Sequence, residues 1–335
     1  MIPFSILDLS PIGEGYSVRE ALDQSRRLAV KAEEQGFRRV WLAEHHGMPG
    51  IASAATALVI AHVGAATKTI RVGSGGIMLP NHSPLVIAEQ FGTLEALLPG
   101  RVDLGLGRAP GTDMRTAQAL RRNMDAGAEN FPQDIMELKH LLGTPIENQA
   151  ILAVPGTEAN VPIWLLGSSL YSAHLAAALG LPYAFASHFA PDMLMDAIAI
   201  YRDRFQPSDD LKEPYVMVGV MGVGADTDEE AARLFTSSQQ QFVNLRKNVR
   251  TRFPKPLDTM EGFWTPMERM NVEHTLQYAA VGSPKTLEDK LGNFLAETGA
   301  DELIVSMPIH DIEKRLHSVE IFGALSLMEK QKLAA

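Results

Sequence analysis

The sequence predicts an α/β protein, a TIM-like (β/α)8 barrel with insertions. Three observations carry this: short apolar strand patterns alternate with amphipathic helical patterns, there are eight such strands, and five of them stop abruptly on polar or glycine-rich residues. In a parallel barrel the carboxyl ends of the strands open onto the catalytic face, so polar residues that end a buried strand are site candidates. Trp41-Leu42-Ala43 runs into Glu44-His45-His46, and the 72–80 segment runs into Asn81-His82. The 102–107 segment stops at Arg108, Ile163-Trp164-Leu165-Leu166 at Gly167-Ser168-Ser169, and Tyr183-Ala184-Phe185-Ala186 at Ser187-His188.

The elements follow in order. Residues 2–9 read as the first strand. Ser17-Val18-Arg19-Glu20 is a capping box, in which serine and glutamate each satisfy the other's backbone amide. Val18, Ala21, Leu22, Leu28, Ala29 and Ala32 then fall at helical spacing, and Gly36 ends the helix. The second unit spans 40–66. The third pairs a strand at 70–78 with a helix capped by Ser83, with Pro84 at its first position, running to 98. The fourth strand occupies 101–106, followed by helical pattern over 114–142 and a Pro/Gly/Asn-containing loop to 161. Compact units at 162–180 and 181–205 precede the seventh strand at 215–224, after which Thr227-Asp228-Glu229-Glu230 reads as a second capping box. Over 249–271 the periodicity gives way to proline, charge and aromatics, and loops of that length are usually functional or disordered. Ser283-Pro284 opens another helix, 301–307 is the eighth strand, and a helix at 312–328 closes the chain. One barrel domain over 1–335 results, with insertions near 143–161 and 249–271; an open doubly wound sheet is the competing arrangement.

Composition narrows the function. The 335 residues are 46% hydrophobic and 21% charged, ordinary for a soluble globular protein. A net charge of -10 argues against nucleic acid, whose binding needs clustered Lys and Arg. The absence of cysteine excludes disulfides, thiolate metal sites and a cysteine nucleophile, and fits a reducing cytoplasm. The first cation is Arg19, so the start lacks the basic region of a secretory signal, and the Ala-rich 51–66 stretch is too short and polar to span a membrane.

Glu44, His45 and His46 suit general acid–base work, because imidazole titrates near neutrality. A metal site fits them less well: adjacent residues project to opposite faces of a strand, and no short-spaced third ligand accompanies them. Gly75-Gly76 marks either close packing or a ligand approaching the backbone. Gly105-Leu106-Gly107-Arg108-Ala109-Pro110-Gly111 resembles a dinucleotide turn only superficially, because Pro110 replaces the third glycine and no acid follows at the end of a second strand. Arg108 is better read as an anion partner, with a surface salt bridge as the bland alternative. The Gly167-Ser168-Ser169-Leu170-Tyr171 turn, where a strand feeds a helix, offers amides and hydroxyls to a phosphate; simple N-capping is its bland alternative. His188 ends the next strand, either lining that pocket or packing.

Taken jointly, Glu44-His45-His46, the 72–80 segment with its small pair before Ile-Met-Leu-Pro, Gly107-Arg108 and the Gly167-Ser168 turn resemble the bacterial luciferase-like flavin monooxygenases over nearly the whole chain. Within them, Ala52-Ser53-Ala54-Ala55-Thr56 and the 81–90 segment resemble the YhbW-like subgroup. The resemblance implies reduced FMN as co-substrate, supplied by a separate NAD(P)H:flavin reductase, with O2 and a small organic molecule as the other substrates. It further implies that Arg108, Ser168, Ser169 and Tyr171 hold the phosphate, with Gly107 and Gly167 among the cofactor-binding residues, that Gly75-Gly76 forms a non-prolyl cis peptide beneath the flavin ring, and that His45 and His46 stand near its reacting edge. His188 joins the cofactor residues, the 249–271 segment serves as a mobile lid, and the protein is a homodimer. Luciferases proper carry a cysteine where this chain has Gly107, which removes support for light emission. F420-dependent hydride transfer and flavin storage are the rival readings.

Overall fold

The computed structural model describes residues 1–109, 114–120 and 129–331. Pro110 and Gly111 of the glycine-rich turn, and part of the helical pattern expected over 114–142, lie outside them. The chain runs β1 (Ile2–Asp8), α1 (Val18–Gln35), β2 (Arg39–Leu42), α2 (Thr56–Gly64), β3 (Arg71–Met78), α3 (Pro84–Leu97), β4 (Val102–Gly107), α4 (Met114–Leu120) and α5 (Phe131–Leu142). It continues through β5 (Ile163–Gly167), α6 (Leu170–Leu179), β6 (Tyr183–Phe185), α7 (Leu194–Arg204), β7 (Val216–Gly224) and α8 (Asp228–Arg246). Last come α9 (Pro266–Thr275), β8 (Ala280–Gly282), α10 (Pro284–Thr298), β9 (Glu302–Ser306), α11 (Ile312–Ala324) and β10 (Met328–Glu329).

β1 through β7 pair in sequence, all parallel, and β9 pairs with both β7 and β1. That closes an eight-stranded parallel barrel with helices outside it, the predicted (β/α)8 architecture. β8 and β10 are additions. β8 pairs with the end of β7, Gly222–Gly224, and β10 adds to the start of β1.

The strands read as continuous apolar runs because both faces are buried. Residues facing the helices, among them Phe4, Ile6, Val40, Val72, Leu104, Leu165, Val218 and Val305, belong to the main core. Those facing the lumen form a second cluster of Leu7, Trp41, Ala43, Trp164, Ala184, Met217 and Ile304. Below that apolar layer the lumen is ionic. Arg39 Nη1 donates to Asp103 at 2.7 Å and its Nε to Glu302 at 2.8 Å. Arg71 Nη2 reaches Asp103 at 2.6 Å, Trp41 Nε1 reaches it at 3.2 Å, and Tyr215 Oη and Ser5 Oγ donate to Glu302. Arg39 also stacks over Trp164, its guanidinium carbon 4.7 Å from the ring centroid. Each buried carboxylate thus meets several donors, the condition under which a buried charge is tolerated.

Local chemistry explains the helix ends and corrects some expectations. The capping box of α1 forms as predicted between Ser17 and Glu20, and Gly36 ends the helix in the left-handed conformation at φ 83°. Thr227 accepts the Glu230 amide, so only half of the second predicted box forms. Ser83 and Ser283 make no side-chain cap bond, and proline at the first turn, which needs no amide partner there, starts both helices instead. The region read as structureless at 249–271 contains the start of α9, opened by a full capping box between Thr265 and Glu268 with Pro266 inside it.

Candidate active site

The mouth of the barrel gathers the polar strand ends. Glu44, just past β2, is 1% exposed and carries the densest set of contacts there. Its Oε1 lies 2.7 Å from His46 Nε2 and 2.9 Å from His82 Nε2, with Asn81 Nδ2 at 3.4 Å. Its Oε2 accepts the Met78 amide at 2.9 Å, and its own amide donates to Gly76 O. Burial alone would raise the Glu44 pKa, but the His82 and His46 rings and the Met78 amide outweigh it and hold the carboxyl below its ordinary value. An ionised carboxylate only accepts, so both histidines donate to it through Nε2. His45 stands apart from this bonding. Burial, then the neighbouring His46, lowers its pKa and favours the uncharged ring.

His82 and Asn81 are the residues that the candidate set lacked. Their position at the end of the 72–80 segment was visible, but their partner, Glu44, belongs to another strand. Only the pairing of β2 with β3 makes them neighbours.

The wall beside this hub is backbone. The peptide between Gly75 and Gly76 is cis, the geometry that the resemblance implied. A Cβ on Gly75 would come within 2.6 Å of Leu7 Cδ1, and one on Gly76 within 2.6 Å of Gly105 O. Close packing therefore requires both glycines, whatever lies against them.

Across the mouth, β4 ends beside Arg108 and β5 ends at the turn into α6. The Arg108 guanidinium carbon lies 4.0 Å from the centroid of the Tyr171 ring. The salt bridge considered for Arg108 is absent among the described residues, so its cation faces the aromatic and solvent. Ser169 occupies the N-cap of α6 but makes no side-chain cap bond, so the bland reading of that serine does not hold. Ser172 Oγ instead donates to Ser169 O at 3.0 Å and packs against Gly167, where a Cβ would lie 2.0 Å from that oxygen. Gly107 is similarly constrained, since a Cβ there would meet Met78 Sδ at 2.9 Å. The first-turn amides of a ten-residue helix, two hydroxyls and a guanidinium thus share one rim. That donor set fits a phosphate.

His188 follows β6, and its ring packs edge-on against Phe189 at 4.8 Å between centroids. Burial pushes its pKa down to about 4.

The segment expected to be a mobile lid is hydrogen-bonded onto the mouth. Phe253 N donates to Ile12 O and Glu14 N donates to Phe253 O, while Arg252 reaches Tyr16 O and Arg250 reaches Gly47 O. Leu257 exchanges hydrogen bonds with Thr236 on α8. It straps the loops after β1 and β2 together. Among the described residues no cluster suits a metal ion, and no helix is long and apolar enough to cross a membrane.

The family model described as luciferase-like monooxygenase matches residues 2–302. The chain belongs to that family. It is 53% identical over 320 residues to a luciferase-like monooxygenase of Escherichia coli K12, covering 96% of each chain. Among solved structures, apo-MsnO8 superposes with a TM-score of 0.91 at 32% identity, covering 99% of this chain and 100% of that one. Two more distant structures share the fold alone. One is the FMN-bound oxygenating constituent of 3,6-diketocamphane monooxygenase from Pseudomonas putida (TM-score 0.74, 18% identity, 99% of each chain). The other is an F420-dependent secondary alcohol dehydrogenase (TM-score 0.65, 15% identity, 97% of this chain and 98% of that one). Those two proteins share this fold yet hold different cofactors, so the fold alone does not select one.

Proposed function

We propose that this luciferase-like protein is an FMN-dependent monooxygenase that receives reduced flavin from a separate reductase and places one atom of O2 into a small organic substrate. The observation that carries this reading is the rim formed by Arg108, Tyr171 and the uncapped start of α6. Arg108 and the α6 amides would hold the FMN phosphate, with Ser168 and Ser169 as further donors and Tyr171 fixing the plane of the guanidinium. Gly75 and Gly76 would form the wall against the ring. Bound there, reduced FMN would supply the electrons that activate O2.

The chain's own groups would manage protons and water. Glu44 anchors His46 and His82 through their Nε2 atoms, which fixes both imidazoles at the mouth to hold or pass a proton. His45, neutral and partly buried, presents an additional base. The apolar floor of Leu7, Trp41, Trp164, Met217 and Ile304 keeps water out from below, which protects a reactive oxygen species from wasteful discharge.

An anaerobic titration tests the cofactor. Reduced FMN should bind, F420 should bind more weakly, and added O2 should reoxidise the bound flavin more slowly than free flavin. Preferential binding of F420 with unchanged FMN reoxidation would assign hydride transfer instead. Removing one imidazole of this hub should separate binding from chemistry. His46→Ala should leave FMN affinity nearly unchanged yet slow oxygenation of an accepted substrate by about 100-fold and raise peroxide release, the size expected for general acid–base catalysis. Unchanged coupling in both His46→Ala and His45→Ala would make the histidines structural.

We also infer a homodimer. Leu58 on α2 and Val86 and Leu97 on the adjacent α3 are exposed, Leu58 to 73%. Ile151, Leu152 and Val154 are exposed in the segment that packs against α3 where Gly156 meets Gly92. Exposed large apolar side chains on neighbouring elements suit an interface. Light scattering at micromolar concentration should give twice the chain mass, and a monomer there would refute it.

A further inference from the structure

His188 occupies a position in the barrel that neither the phosphate rim nor the Glu44 hub explains. Ser187 Oγ donates to Gly219 O at 2.6 Å, which fixes the turn after β6 to β7. Met217 belongs to the lumen cluster, so Gly219, two residues on, faces the lumen as well. A Cβ on Gly219 would lie 2.5 Å from His188 Nδ1 and 3.4 Å from its Cε1. The imidazole therefore fills the lumen space that a side chain at 219 would take.

The two ring nitrogens have different surroundings. Nδ1 is buried and has no hydrogen-bond partner, whereas Nε2 bonds no described residue and the side chain as a whole is only partly buried. The ring is neutral at ordinary pH, so it carries one N–H. A lone pair on Nδ1 would face the Cα hydrogens of Gly219, a weakly favourable contact; an N–H there would be buried against C–H with nothing to accept it. The proton therefore sits on Nε2. The nearby lumen-facing positions Ala43, Gly75, Leu166 and Gly219 carry no hydrogen-bonding side chain. On the flavin reading, a molecule anchored by its phosphate at the ends of β4 and β5 would extend over this lumen.

We propose that His188 presents a fixed Nε2–H donor to a ring carbonyl oxygen of the bound flavin. The proposal rests on the flavin reading and adds a second anchor, one for the ring and not for the phosphate. The two anchors can be separated with lumiflavin, which has the ring but neither ribityl chain nor phosphate. His188→Leu should weaken lumiflavin and FMN by the same factor, about three- to tenfold, the size of one neutral hydrogen bond. His188→Gln, whose side-chain nitrogen reaches a similar place, should restore most of that loss. Nitrogen NMR of the free protein should show the Nε2–H tautomer through pH 6–8, with the Nε2 resonance shifting when lumiflavin is added. An Nδ1–H tautomer, or normal lumiflavin affinity in His188→Leu, would overturn the assignment while leaving the flavin reading intact. No flavin binding by the wild type would overturn both.

Discussion

Asp103→Ala should destabilise the fold by about 3–5 kcal/mol, the usual cost of removing one partner from a buried ion pair. Asp103 is 1% exposed and accepts from Arg39, Arg71 and Trp41 at once. Without it Arg39 retains Glu302, but the buried Trp41 indole loses its acceptor and Arg71 its carboxylate. The same network sets an acid limit. Burial would raise the Asp103 pKa, yet Arg39 and Arg71 overcome it and hold the carboxyl below its ordinary value. A depressed folded value means the stabilisation is complete above the unfolded pKa of about 3.9 and disappears as pH falls through the lower folded value. Urea unfolding of wild type and variant between pH 3 and 7 reads both effects. A change below about 1 kcal/mol at neutral pH would show that the lumen charges are solvated, contrary to their burial.

Arg108→Ala should weaken FMN about 10- to 100-fold, because one charge-assisted contact to phosphate is worth roughly 1.5–3 kcal/mol. Riboflavin, which lacks the phosphate, should be almost unaffected. The stacking of Arg108 on Tyr171 makes Tyr171→Ala a milder version of the same defect: the cation remains but its plane is no longer fixed. Fluorescence titration of both ligands against each variant separates the phosphate contact from general damage. Equal loss for the two ligands would make Arg108 structural.

The barrel was legible because its strands carry a strong local signal. A parallel strand buried on both faces is a short apolar run, and the polar residue after it marks the mouth, as at Glu44, Arg108 and Ser168. What escaped depended on closure. Arg39, Asp103 and Glu302 stand at the starts of their strands and look like ordinary flanking charges until the barrel brings them into one lumen. His82 was seen as a strand end, but its role follows from a carboxylate 38 positions away. α9 carries a clear start signal in Thr265-Pro266-Met267-Glu268, a capping box with proline at the first turn, but buries only Val272 and Thr275 and so shows no apolar periodicity. The ties of the 249–271 segment to the barrel mouth were hidden for a related reason: backbone bonds such as that from Phe253 to Ile12 leave no trace in side-chain pattern.

The central claim is that this barrel binds a flavin mononucleotide by its phosphate. Isothermal titration of the wild-type chain with FMN and with riboflavin, side by side at one ionic strength, tests it most directly. The account predicts FMN to bind at least about tenfold more tightly, since the rim supplies a guanidinium and helix amides that riboflavin cannot use. Equal affinities for the two ligands would contradict it.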